Sequence, residues 1–306
     1  MQRVWVGSTA IQGPEHYRRR INRQDQAWLF RHGKWIFGAI ADGCSQSRLS
    51  EVGAGILAYQ APQLLFKAHQ GNIGLEDMAA YFETQIRKFI AKIIESFAFG
   101  QEYLIALEIE HNGGNKVDTD NIEHFLAYNV ISDLLQATLL TICLHEDKGG
   151  IVLVRGDGHV HINGELTSFD YNDQPPYGAY DFALAEYPGN PDDLCFQTLS
   201  VPEDFQTVGI TTDGWPWEFE QAYPFGQWRY SKFPEWLRDI NSRRGKSGKD
   251  ALTESAGWLL FRPEDPSRIA RKIAKNPIAI IGGEKMRIST DDLAGIFIER
   301  EEVVEQ

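Results

Sequence analysis

Trp35-Ile36-Phe37-Gly38-Ala39-Ile40-Ala41-Asp42-Gly43-Cys44-Ser45 is the stretch that decides how this chain folds. Its first seven residues are apolar without interruption, too apolar for a strand with one face in water, so they predict a strand inside the core. The run stops abruptly at Asp42-Gly43. Just upstream, Ala27–Arg31 is a second β-rich run, and His32-Gly33 between the two predicts a hairpin.

Downstream, the apolar period lengthens. Val52, Ile56, Leu57 and Leu64 recur at three- and four-residue intervals, predicting a helix over Ser50–Ala68. Met78, Phe82, Ile86, Ile90 and Ile93-Ile94 predict a second amphipathic helix over Leu75–Phe97. Residues 111–121 are polar and read as a solvated loop. Gln136–His145, Gly150–Arg155 and His159–Ile162 read as one β-meander that turns at Asn163-Gly164. A segment rich in Tyr, Pro, Asp and Gly then fits a surface flap, placed at about 165–205. A core strand, Gln206–Thr212, ends at Asp213-Gly214. An insertion at about 215–262 follows, then a helix over Pro263–Lys275 and a last strand over Leu293–Glu299, preceded by Asp291-Asp292. Strands in meanders beside paired helices imply an α+β layered fold rather than an alternating βαβ one.

The bulk properties narrow the function. The chain has 306 residues, 42% hydrophobic and 24% charged, an ordinary globular composition. Forty-three acidic residues against 30 basic ones give a net charge of −13 with no Lys/Arg stripe, which argues against a nucleic-acid partner. Three cysteines, with no Cys-x-x-Cys pair, give neither a disulfide framework nor a zinc site. No apolar run is long enough to span a membrane, and the first residues lack a signal-peptide core, so a cytoplasmic protein is expected.

The acidic residues carry the chemistry. Asp42-Gly43 and Asp213-Gly214 each end an apolar strand, Asp291 precedes one, Asp25 precedes another, and Asp157 sits in the turn Gly156-Asp157-Gly158. If those strand ends meet, the carboxylates converge, and crowded carboxylates need cations between them. All-oxygen donors select magnesium, manganese or calcium. A glycine after the aspartate lets the backbone carbonyl approach a metal. Ser45 and Ser47 lack a recognisable base, and no Gly-x-Ser-x-Gly elbow is present, so no protein nucleophile is evident.

Order and spacing add to this. Arg20…Gln24-Asp25, Ala41-Asp42-Gly43-Cys44-Ser45…Ser50-Glu51-Val52-Gly53-Ala54, Gln136-Ala137-Thr138-Leu139-Leu140, Gly156-Asp157-Gly158, Thr212-Asp213-Gly214-Trp215 and Asp291-Asp292-Leu293 follow one another along nearly the whole chain. Together they resemble the metal-dependent protein phosphatase family, type 2C, in its bacterial branch. The resemblance implies one catalytic domain over residues 1–306, a central antiparallel β-sandwich flanked by pairs of antiparallel helices in α/β/β/α layers. It also implies roles. Asp42 bridges two manganese or magnesium ions, the Gly43 carbonyl ligates the second, and Asp213 and Asp291 complete the first. Asp25, beside Gln24 where a glutamate is usual, holds metal-bound water. Arg20 binds phosphate as a planar fork, and Asp157 helps hold a third ion. Paired cations lower the pKa of a bridging water, and the resulting hydroxide attacks phosphorus in line.

Two positions depart from the pattern. Cys44 stands where many members carry a histidine that protonates the leaving oxygen, and Trp217 stands where an aspartate supports the third ion. Among the other candidates, His159 and His161 alternate along a strand and read as the solvent-facing side of a hairpin. Trp215 and Trp217 read equally as a peptide clamp or a packed lid, and Tyr171, Tyr177 and Tyr180 as substrate contacts or local packing. The leading expectation is a phosphoserine/phosphothreonine protein phosphatase acting on the targets of a cognate Ser/Thr kinase. A pseudophosphatase serving as a phosphopeptide-binding module, or a phosphatase of small metabolites, are the other readings.

Overall fold

The structure is a computed structural model, and it describes residues 2–12, 16, 22–47, 49–98, 134–171, 174–178, 180, 189, 191–214, 278–281, 284–287 and 292–302. The loop at 111–121, the insertion at 215–262 with Trp215 and Trp217, the helix over Pro263–Lys275, Arg20 and Asp291 all lie outside the described residues.

The strands are β1 (Gln2–Ile11), β2 (Gln26–His32), β3 (Trp35–Ala41), β4 (Leu139–His145), β5 (Gly149–Arg155), β6 (Gly158–Ile162), β7 (Glu165–Phe169), β8 (Gln197–Val201), β9 (Thr207–Thr211), β10 (Ile278–Ile281), β11 (Glu284–Arg287) and β12 (Leu293–Glu302). The helices α1 (Ser50–Gln70) and α2 (Leu75–Ala98) follow β3. One five-stranded antiparallel sheet runs β2-β3-β4-β5-β8 and the other β1-β12-β9-β6-β7, while β10 and β11 form a separate ribbon. The hairpin of β2 and β3 turns at Gly33, whose φ of +60° suits a residue without a Cβ.

Alternation along β3 to β5 divides the core. Ile36, Ile40, Leu140, Ile142, Val152 and Val154 face Val160, Val208, Ile210, Ala294, Ile296 and Ile298 of the other sheet, and make the inter-sheet layer. The opposite faces, with Phe37, Ala39, Cys143 and Leu153, pack against Leu57, Leu65, Met78, Phe82, Ile86 and Ile90 of the two helices. Each fully buried Leu, Ile or Phe here is worth roughly 1.5–3 kcal/mol, so the helix layer is anchored by its apolar stripe. The architecture is the expected α+β sandwich, and among the described residues one helical pair covers one of its sheets. Arg300 closes the far end: its guanidinium donates to the carbonyls of Glu203 and Glu146 and lies over the Phe205 ring.

Two expectations need correction. The run from β4 to β6 is not one meander: β4 and β5 pair in one sheet, whereas β6 pairs with β7 and β9 in the other. The chain changes sheets at Gly156-Asp157-Gly158, where Gly156 (φ +102°) and Gly158 (φ +148°) take backbone angles that L side chains rarely adopt. His159 and His161 do not face solvent; they are 5% and 3% exposed. The segment at 165–205 begins in β7 of one sheet and ends in β8 of the other.

Candidate active site

Register brings the acidic strand ends to one end of the sandwich. Gln26 is opposite Ala41, Leu139 opposite Arg155, His159 and Gly295 both opposite Thr211, and Ile11 opposite Leu293. Asp25, Asp42, Asp157, Asp213 and Asp292 each sit one or two residues beyond one of those strand ends. The sequence condition that the strand ends must meet is therefore satisfied by topology.

Asp42 is held by its backbone. Thr138 donates its amide to the Asp42 carbonyl at 2.8 Å, and the Asp42 amide donates to the Thr138 hydroxyl at 3.2 Å. Gly43 bridges to Ala137, the Cys44 amide donates to the Gln136 carbonyl, and the Ser47 hydroxyl donates to the Gln136 side chain. The Gln-Ala-Thr landmark is thus the frame that fixes the Asp42–Ser47 turn. Gly43 is also constrained by space: a Cβ there would lie 2.8 Å from the Ser50 backbone. Gly53 is tighter still, since a Cβ would meet the Leu134 carbonyl oxygen at 1.6 Å. The Gly residues of both motifs let α1 start directly against the site.

Gln24 is neither a turn residue nor open to solvent. It is 4% exposed, its amide side chain donating to the Cys44 carbonyl at 3.2 Å and to the Ser50 hydroxyl at 2.9 Å. Ser50 in turn donates to the Cys44 carbonyl at 2.8 Å rather than capping α1. The Gln24 backbone amide donates to Asp292 at 2.5 Å, and His16 Nδ1 lies 3.0 Å from the same Asp292 oxygen. Asp292, His16 and Thr212 are residues that spacing alone does not single out. The chemistry they serve is visible only when β12, β9 and the approach to β2 are brought together.

Asp25 is 2% exposed, and its carboxyl accepts the Thr212 hydroxyl at 2.5 Å. Burial pushes that carboxyl up to about 8, against the downward pull of hydrogen bonds shared with Asp42 and Thr212, while the negative charges of Asp292 and Asp213 add to the rise. Two carboxylates in contact cannot both be ionised cheaply without a cation, so the metal-free pair keeps a proton. Asp42 is half-buried and Asp213 exposed, so both reach open space at the sandwich end. Asp157 takes a different partner, its carboxylate accepting the Tyr171 amide at 2.9 Å. Among the described residues no three His, Cys, Asp or Glu side chains form a group that could hold one ion. The pair Asp25–Asp42, with Asp213 and Asp292 in electrostatic reach, is what the structure brings together.

Oxygen donors of this kind suit a hard divalent cation. The chain carries such donors at Asp25 and Asp42. It belongs to the protein phosphatase 2C family, whose model matches residues 12–254. Members of this family are metal-dependent phosphatases of phosphorylated proteins. No curated protein matches the chain. Among solved structures it is similar to the serine-threonine phosphatase 2C from Toxoplasma gondii, at 11% identity over 97% of this chain and 94% of that one, with a TM-score of 0.41. It is also similar to the PPM Ser-Thr phosphatase MsPP from Mycobacterium smegmatis, crystallised with cacodylate, at 12% identity over 96% and 97% of the two chains, TM-score 0.36. A C. elegans sex determining protein aligns at 12% identity over 97% of this chain and 64% of that one, TM-score 0.45. No helix in the described residues is long and apolar enough to cross a membrane.

Proposed function

We propose that this chain is a single catalytic domain that hydrolyses phosphoserine and phosphothreonine in proteins, with two manganese or magnesium ions at the Asp42 end of the sandwich. The observation that carries the reading is the buried Asp25 carboxyl, held by the Thr212 hydroxyl, at the end of the sandwich where the strands that carry Asp42, Asp213 and Asp292 also end or begin. In this reading Asp42, the Gly43 carbonyl, Asp213 and Asp291 hold the ions, Asp25 holds their water, and Asp157 contributes to a third, weaker site. Arg20 binds the phosphoryl group. The ions, when bound, supply a water acidic enough to ionise near neutral pH and positive charge for the phosphoryl oxygens.

The chain's own residues do the rest. Thr138 fixes the backbone of Asp42, and Thr212 fixes the carboxyl of Asp25, so both oxygen donors stand ready before any ion arrives. Asp292 ties the approach to β2, which leads to Asp25, onto the start of β12. Loading the site exchanges the proton kept by the carboxylate pair for a cation. The substrates are expected among the targets of a Ser/Thr kinase.

The test is hydrolysis of phosphoserine and phosphothreonine peptides, and of p-nitrophenyl phosphate, with manganese and with chelator. Metal-dependent release of phosphate from the peptides supports the reading. Release from small phosphorylated metabolites alone would move the substrate class, and tight phosphopeptide binding without turnover would assign a binding module.

A further inference from the structure

β2 ends its sheet. The order β2-β3-β4-β5-β8 leaves one side of β2 without a strand, and among the described residues no backbone group is hydrogen-bonded to that side. An open strand edge presents unpaired amides and carbonyls, and soluble proteins guard such edges with short strands and polar or charged side chains. β7 and β8, at the other ends of the two sheets, are guarded in this way. Each has five residues, with Glu165, Thr167 and Ser168 in one and Gln197, Thr198 and Ser200 in the other. β2 is not. Its seven residues include Ala27-Trp28-Leu29-Phe30 in a row, and its one arginine, Arg31, is paired with Glu146.

The helix over this edge is equally unguarded. α1 lies over β2 and β3, and from Val52 to Phe66 it has no charged side chain. Its neighbour α2 has the charged outer side expected of a surface helix, with Glu83 pairing with Arg87 at 3.0 Å. α1 instead exposes Val52 (44%) and Tyr59 (50%), which stand about two turns apart on one face. Trp28 (45% exposed) meets Tyr59 edge-on from the helix side of β2, with ring centroids 5.0 Å apart. Among the described residues these three are the large hydrophobics left in water, and all of them lie on this one stripe of α1 and the strand beneath it.

A second copy of the chain supplies what the edge lacks. Antiparallel pairing about a two-fold axis sets an edge against itself, so a single open strand is complementary to its own copy. Phe30 packs on the helix side with Phe66, as Trp28 does with Tyr59. An axis at Leu29 therefore puts Trp28 opposite the partner's Phe30, an aromatic cross-strand pair made twice. Charge points to the same place. Two copies of net charge −13 repel, and they repel least where Ala27–Phe30 and Val52–Phe66 carry no charge. The apolar, charge-depleted character is that of a homodimer interface.

We propose that the chain forms a two-fold dimer through β2 and α1, with one sheet running continuously through both copies. The inference makes no use of the phosphatase reading and is tested apart from it.

The experiment is sedimentation equilibrium of the full chain from about 1 to 100 µM, a range in which an interface of modest quality associates. It compares wild type with Trp28→Lys, Tyr59→Glu and the control Thr198→Lys, which charges the exposed, already polar strand β8. Wild type is expected to be a dimer at the upper end of the range. A charge set against its own copy near the axis should raise the dissociation constant at least about tenfold in Trp28→Lys and in Tyr59→Glu, while Thr198→Lys stays within about twofold of wild type. Hydrogen exchange at the β2 amides should slow as the wild-type concentration rises and stay constant in Tyr59→Glu. A wild type that is monomeric throughout would overturn the proposal and leave the face to a different protein. A dimer that both variants form as readily as wild type would overturn it as well, since another surface then holds the copies together. If Trp28→Lys does not fold, Tyr59→Glu, a change on the outside of a helix, decides by itself.

Discussion

The hydroxyl of Thr212 donates to the carboxyl of Asp25 at 2.5 Å, across 187 residues of chain. The same oxygen accepts the Ala294 amide at 3.0 Å, while the Thr212 amide donates to the Ala294 carbonyl. One threonine therefore joins the end of β9, the start of β12 and the approach to β2, which are the three places that carry Asp213, Asp291 and Asp25.

Thr212→Val keeps the shape and removes the hydroxyl. The Ala294 amide is then left buried without that acceptor, at a cost of about 1–3 kcal/mol in stability. Manganese affinity should fall about 10–100-fold, since Asp25 loses the group that orients it. Calorimetric titration and thermal unfolding check both. A variant that binds manganese like wild type would show that Thr212 supports the fold only.

Gly53→Ala tests how α1 meets the site. The added Cβ would occupy the space of the Leu134 carbonyl oxygen, backbone against backbone, so α1 must shift away from the Gln136–Thr138 frame. The expected loss is about 3 kcal/mol or more, in a position where alanine would otherwise favour a helix. An unchanged denaturation midpoint would contradict the close approach.

The pH dependence of the metal-free protein follows from Asp25. Its carboxyl is raised from the ordinary 3.8 to about 8 in the folded state, so the folded state binds the proton more tightly than the unfolded one. Stability is then fullest below about pH 4 as far as this group is concerned, and is lost as the pH rises toward 8. In chelator the melting temperature should drop on the order of 5 °C or more across that range. Saturating manganese should abolish or reverse the slope, because a cation replaces the proton. A slope that is the same with and without metal would contradict the exchange.

Much of this was legible in residues alone. The uninterrupted apolar run 35–41, the Gly33 turn and the 3.6-residue periods after Ser50 and Leu75 are local signals, and β3, α1 and α2 match them closely. The Asp-Gly stops marked the right end of the right strands because a polar pair after an apolar run is also local. Sheet membership was not legible: β5 and β6 are separated by only Gly156-Asp157, and nothing short of the two glycine angles says that the chain crosses to the other sheet there. His159 and His161 misled in another way: their alternation looks amphipathic, yet both side chains are buried. Gln24 and Asp292 escaped a firm role because their partners, Ser50 and the Gln24 amide, are 26 and 268 residues away.

Manganese titration of the metal-free protein, followed by calorimetry in parallel on wild type, Asp42→Ala and Asp213→Ala, reaches the centre of the account. The account predicts two ions bound per wild-type chain with release of protons. It also predicts loss of at least one ion in either variant, together with a fall in phosphopeptide hydrolysis on the order of 10²–10³-fold or more. Wild-type protein that takes up no manganese, or variants that bind it undiminished, would contradict the claim that these strand-end carboxylates are held together by divalent cations.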